Sequence, residues 1–146
     1  MAGYSPNPLV KKLGFKDGQT ALLIGVPQKL TEISGFPGFS AVETSVRPGP
    51  RRIDAAHWFE TSRARLEDGI QTVASALRPD AMLWISWPKK ASKALTDITE
   101  DVLREVILPL GLVDVKVCAV DDVWSGLKFM WRKELRGKTV RKVNQS

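Results

Sequence analysis

Short, almost unbroken apolar runs alternate along the chain with longer stretches whose apolar residues recur every three or four positions. Thr20 to Val26, Ile53 to Glu60 and Met82 to Trp87 are runs of the first kind, short enough for strands buried on both faces. Leu66, Ile70, Val73, Ala74 and Leu77 fall on one face of a helix, as do Ile98, Val102, Val106 and Leu110 over Thr99 to Leu110. Val113 to Val120 and Leu127 to Trp131 alternate apolar and polar, which predicts a hairpin turning through Asp121 to Gly126.

Punctuation residues set the boundaries. Asn7, Pro8 and Gly14 bracket a short helix, as cap, first helical position and left-handed stop. Lys16-Asp17-Gly18 reads as a turn, and Gln28 to Ile33 allows two helical turns. Ser34 to Arg52, rich in glycine and proline, reads as loop with room for one short strand at Ala41 to Val46. Thr61 or Ser62 caps the next helix, and Arg78-Pro79-Asp80 ends it. Asp97 with Glu100 three residues on resembles a capping pair for the last helix, which Gly111 stops. Strands alternating with helices predict a Rossmann-like three-layer α/β sandwich of six strands, mostly parallel, with an antiparallel C-terminal hairpin.

Composition narrows the chemistry. The 146 residues are expected to form one domain over 1–135, with a basic, flexible tail at 136–146. No apolar run reaches the ~20 residues of a membrane span, and the opening residues lack a signal-peptide pattern, so a cytoplasmic, membrane-free protein is expected. One cysteine, Cys118, and one histidine, His57, are too few for a Cys/His metal site. Six of the basic residues and one acidic residue lie between Arg132 and Ser146, so most of the net charge of +6 sits in the tail. That tail is expected to make at most a weak, salt-sensitive contact with nucleic acid or an acidic partner. A homo-oligomer stays open.

At this point the chain resembles a class I S-adenosylmethionine-dependent methyltransferase. The resemblance rests on the lead-in Leu13 to Gly18, the first strand, and the order strand, helix, strand, helix, hairpin from Ile53 to Arg132. Through Trp87-Pro88-Lys89-Lys90, Val115 to Asp121 and Trp124 to Leu127 it is similar, more closely, to an uncharacterised bacterial domain-of-unknown-function family of small methyltransferase-like proteins. The resemblance implies a methyltransferase-like fold and no particular activity. It also locates a departure. Working methyltransferases follow the first strand with an acidic residue and a glycine-rich turn, whereas this chain has Ile24-Gly25-Val26-Pro27-Gln28. Only residues 27–52 separate the first strand from Ile53, where two βα units would take about 60 residues. At least one unit is therefore expected to be missing from the cofactor-binding half, which disfavours S-adenosylmethionine in its usual pocket.

In an open α/β sheet, ligands bind beyond the carboxyl ends of the strands. That rule nominates Gly25, Glu60, Ser62, Arg63, Trp87, Lys89 and Lys90 as candidate ligand residues, with the two lysines and the helix amides after Ser62 suited to a phosphate or carboxylate. His57 and Cys118 lie inside strands and read as structural, and Glu43 is a weaker candidate for a ribose-binding acid. The tryptophans read as packing, and Trp124-Ser125-Gly126 as the hairpin turn. The expectation is a non-catalytic methyltransferase-like module for a small anionic or nucleotide ligand or a macromolecular partner. A divergent methyltransferase and a structural partner subunit are the alternatives.

Overall fold

The almost purely apolar strands stack side by side because each is covered on both faces, and this decides the architecture. A computed structural model describes residues 8–136. In chain order it contains α1 (Pro8–Leu13), β1 (Thr20–Ile24), α2 (Thr31–Ser34), β2 (Ala41–Glu43), β3 (Ile53–Phe59), α3 (Arg63–Ala76), β4 (Leu77–Pro88), α4 (Glu100–Ile107), β5 (Leu112–Ala119) and β6 (Trp124–Trp131). Single 3-10 turns follow β4 and α4. The expected cap Asn7 and the tail from Gly137 onward lie outside the described residues.

The six strands form one sheet in the order β2-β1-β3-β4-β6-β5. β2, β1, β3 and β4 pair in parallel, and β6 runs antiparallel to both β4 and β5. One face carries Leu22, Ala56, Trp58, Leu83, Ile85, Leu127 and Phe129 against the apolar sides of α3 and α4. The other carries Ala21, Leu23, Ala55, Phe59, Met82 and Trp84 beneath α1, α2 and Phe15. Trp84 is fully buried and donates its indole N–H to the carbonyl of Leu13 at 2.8 Å, which ties the end of α1 to the sheet centre.

Several boundaries differ from expectation for local reasons. Leu77 leaves the helix and opens β4, pairing with Ile53, and Met82 then pairs with Ala55. Arg78-Pro79-Asp80 is thus a bulge within a long strand, where proline's missing donor costs nothing. α4 buries Leu103 and Ile107 rather than Val102 and Val106, which are only half-buried. β2 is three residues long and α2 a single turn, so one reduced βα unit stands between β1 and β3. Trp124, Ser125 and Gly126 belong to β6 instead of the turn. Gly126 is not in the left-handed region; a Cβ there would lie 3.0 Å from Ser86 Oγ and 3.1 Å from the Trp84 ring.

Candidate functional site

The strand order changes direction at β1, with β2 on one side and β3 on the other. This is where an open α/β sheet leaves a crevice beyond its carboxyl ends. Gly25 stands there with φ +68, and a Cβ would come within 2.7 Å of the carbonyl oxygen of Phe59. The backbones at the ends of β1 and β3 therefore press together. Trp124 adds its ring edge to Phe59 at 5.2 Å between centroids.

Glu60 follows β3 and is buried. Its Oε1 accepts from the Trp58 indole at 3.1 Å, and its Oε2 accepts from the amides of Thr61 and Ser62 and from Arg65 Nε at 2.9, 3.1 and 3.0 Å. Burial pushes the carboxyl's pKa up, but the four donors together outweigh burial and hold it below the ordinary value. Ser62 caps α3 by accepting from the Arg65 amide at 3.2 Å. Asp97, expected to cap α4, instead accepts from the Arg63 amide at 2.7 Å, while Thr99 caps α4 through the Val102 amide. The amides at the start of α3 that would suit an anion are thus taken by the chain's own side chains.

The remaining candidates separate. Arg63 turns away along the helical layer to Glu67 at 2.8 Å and Glu105 at 3.0 Å. There it lines an open cleft of about 240 Å³ between α3 and α4, with Ile70, Gln71 and Val106. Trp87 is 8% exposed and packs in the core against α3 and α4, so it offers no open aromatic face. Lys89 is half-buried and donates its amide to the Val123 carbonyl at 2.7 Å. Lys90 is exposed and begins a 3-10 turn that ends at Lys93, itself left-handed with φ 62. Lys89, Lys90 and Lys93 form no ion pair among the described residues.

Glu43 ends β2, but it is committed. Arg52 grips it through two bonds of 2.7 and 2.8 Å, and Arg47 approaches at 3.4 Å. The guanidinium of Arg52 holds the carboxyl's pKa below its ordinary value. His57 is fully buried, stacked on Phe59 at 4.2 Å, with Nε2 2.7 Å from Ser86 Oγ and Nδ1 without a hydrogen-bond partner. Burial alone lowers its pKa to about 3. Cys118 is buried on the hairpin. Among the described residues no group of three or more His, Cys, Asp or Glu side chains is placed to hold a metal ion.

Sequence reasoning missed Arg65 and the true partners of Asp97 and Asp121. Asp121 Oδ1 accepts from the amides of Val123 and Trp124 at 2.8 Å each, and Lys29 Nζ lies 3.8 Å from its other oxygen. An aspartate two residues before a valine-tryptophan pair is a legible turn signal, and Arg65 lies only five residues from Glu60; the partner of Asp97, Arg63, lies 34 residues away and leaves no local trace.

No family model matches the chain, and no curated protein matches it. Solved structures do. A methyltransferase dependent on S-adenosylmethionine from Aquifex aeolicus superposes with a TM-score of 0.60 at 15% identity, over 88% of this chain and 90% of that one. The Burkholderia thailandensis 1,6-didemethyltoxoflavin-N1-methyltransferase, solved with 1,6-didemethyltoxoflavin and S-adenosylhomocysteine bound, gives 0.62 at 15% identity over 86% and 75%. The [4+2]-cyclase SpnF gives 0.57 at 12% identity over 84% and 79%. Among the described residues no helix is long and apolar enough to cross a membrane. What this chain has in common with these proteins is the Rossmann-like α/β fold of S-adenosylmethionine-dependent methyltransferases.

Proposed function

We propose that the chain is a non-catalytic methyltransferase-fold module that binds a small anionic or nucleotide ligand, or a macromolecular partner presenting one, through the strand-end lysines Lys89 and Lys90. One observation carries this reading: the groups that would hold a cofactor are already paired within the chain. Glu43 belongs to Arg52, the first amides of α3 belong to Glu60 and Asp97, and Gly25 lies against the Phe59 carbonyl. These residues do not fit S-adenosylmethionine. The lysines after β4 are left with their charges unpaired beside that closed crevice. Calorimetric titration with S-adenosylmethionine and S-adenosylhomocysteine is the test, and the expected result is no saturable binding. A micromolar dissociation constant for either would replace the proposal by a divergent methyltransferase, the reading favoured by neighbours solved with these molecules bound. Replacing Lys89 and Lys90 by alanine should weaken binding of tripolyphosphate while leaving the melting temperature within a few degrees.

A further inference from the structure

Arginine and lysine divide their work sharply in this fold. Arg47, Arg52, Arg63, Arg65, Arg78 and Arg104 all bridge to carboxylates of the chain. Among the described lysines only Lys29 does so, at 3.8 Å. Most ammonium groups of the described body therefore have no carboxylate counter-charge within it, and neither do the guanidiniums of Arg51, Arg132 and Arg136.

Some of these ammoniums are gathered on the sheet face of β5 and β6. Lys116 on β5 and Lys128 on β6 are cross-strand partners and share one face of the sheet, with Trp84 in register on the other side of Lys128. Like charges placed opposite each other destabilise a sheet. Lys16, in the turn before β1, adds its field to theirs, and Lys12 reaches from α1 to donate to the Ala119 carbonyl at 2.7 Å. Lys12, Lys16 and Lys116 are exposed and Lys128 is half-buried. Burial, and then the fields of Lys116 and Lys16, lower the pKa of Lys128.

We propose that Lys16, Lys116 and Lys128, with Lys12 at their rim, form a surface that takes the sugar-phosphate backbone of a nucleic acid. Phosphate answers the chemistry of the site, because lysines act as point charges and need no forked geometry. Arginine forks fit phosphate and carboxylate alike, so the commitment to a phosphate backbone rests on the spread of single lysine charges over one open face. The exposure of three of the four ammoniums suits a running backbone better than an enclosed small anion. A bound phosphate would also relieve the repulsion between Lys116 and Lys128. This surface lies beyond the strand-end reading and does not depend on it.

The experiment uses the full chain, a fluorescein-labelled oligouridine of about 20 nucleotides and anisotropy between about 50 and 200 mM salt. The double variant Lys116→Ala/Lys128→Ala should lose affinity by about tenfold or more at the low-salt end, and its salt slope should fall by about 1.4, near 0.7 for each lost phosphate contact. Its melting temperature should not fall, since a like-charge pair is removed. If the double variant fails to fold, Lys116→Gln at the exposed edge should still lower the slope by about 0.7. An unchanged slope in a folded variant overturns the proposal. So does loss of binding in Lys89→Ala/Lys90→Ala alone, which would return the contact to the strand ends. Competition by polyglutamate as effective as by unlabelled RNA would overturn it in favour of an acidic protein partner.

Discussion

Glu60 and His57 are both buried and both depressed in pKa, for opposite reasons. In Glu60, hydrogen bonds favour the charged form against burial; in His57, burial disfavours it. Both make the protein acid-sensitive. The native state refuses a proton that unfolded His57 accepts, so the full stability stands above pH 6.5 and falls as the pH drops from there toward 3. At pH 4.5 the loss should be about 3 kcal/mol, read from urea unfolding against neutral pH. The chain has one histidine, so its imidazole resonance reports this without assignment ambiguity. A resonance titrating near 6.5 in the native state would contradict the burial. Glu60 follows the same sign at lower pH: its contribution is present above the unfolded carboxyl's pKa and is lost as the pH falls through the lowered native value. Glu60→Ala leaves the Trp58 indole and two amides without their acceptor, and should cost about 2–4 kcal/mol in the same assay.

At the scale of elements, capping is exchanged between segments distant in sequence. Asp97→Ala should cost about 1 kcal/mol and quicken hydrogen exchange at the Arg63 amide while leaving the first turn of α4 unchanged; Thr99→Ala should do the reverse. Gly25→Ala should cost about 1–3 kcal/mol, because φ +68 and the Phe59 carbonyl both oppose a side chain. These elements also show how far the sequence can be read. Strands buried on both faces announce themselves as apolar runs, and the helices by their period, so the sheet and its closing hairpin were legible. The capping role of Asp97 was not, because its correct partner lies 34 residues away. Leu77 continues the helical period and is buried in either element, so only its pairing with Ile53 reveals the strand. Trp124 to Gly126 carry turn residues, yet the glycine answers crowding from Ser86 and Trp84. Of the candidate site, positions at strand ends could be placed in advance, but their commitment to partners across the chain could not.

For the whole molecule, charge is the property that reaches outward. Residues 137–146 carry Lys138, Arg141 and Lys142, and the lysine surface proposed on β5 and β6 would be a second source of polyanion affinity. Truncation after Arg136 should therefore reduce retention on heparin without abolishing it, and the residue should vanish when Lys116→Ala/Lys128→Ala is added. Complete loss on truncation alone would assign the affinity to the tail.

Cys118, 5% exposed and paired with Gly126 on the outermost strand, gives the chain a built-in clock. As the only thiol, it can be modified by a bulky aromatic disulfide only when the hairpin parts or the whole chain unfolds. Modification rates followed against rising urea would separate the two events. A rate flat at low urea belongs to peeling of β5 from β6, and one that climbs steeply from the start belongs to cooperative unfolding. The terminal ladder, open on its far side, should give the flat limb.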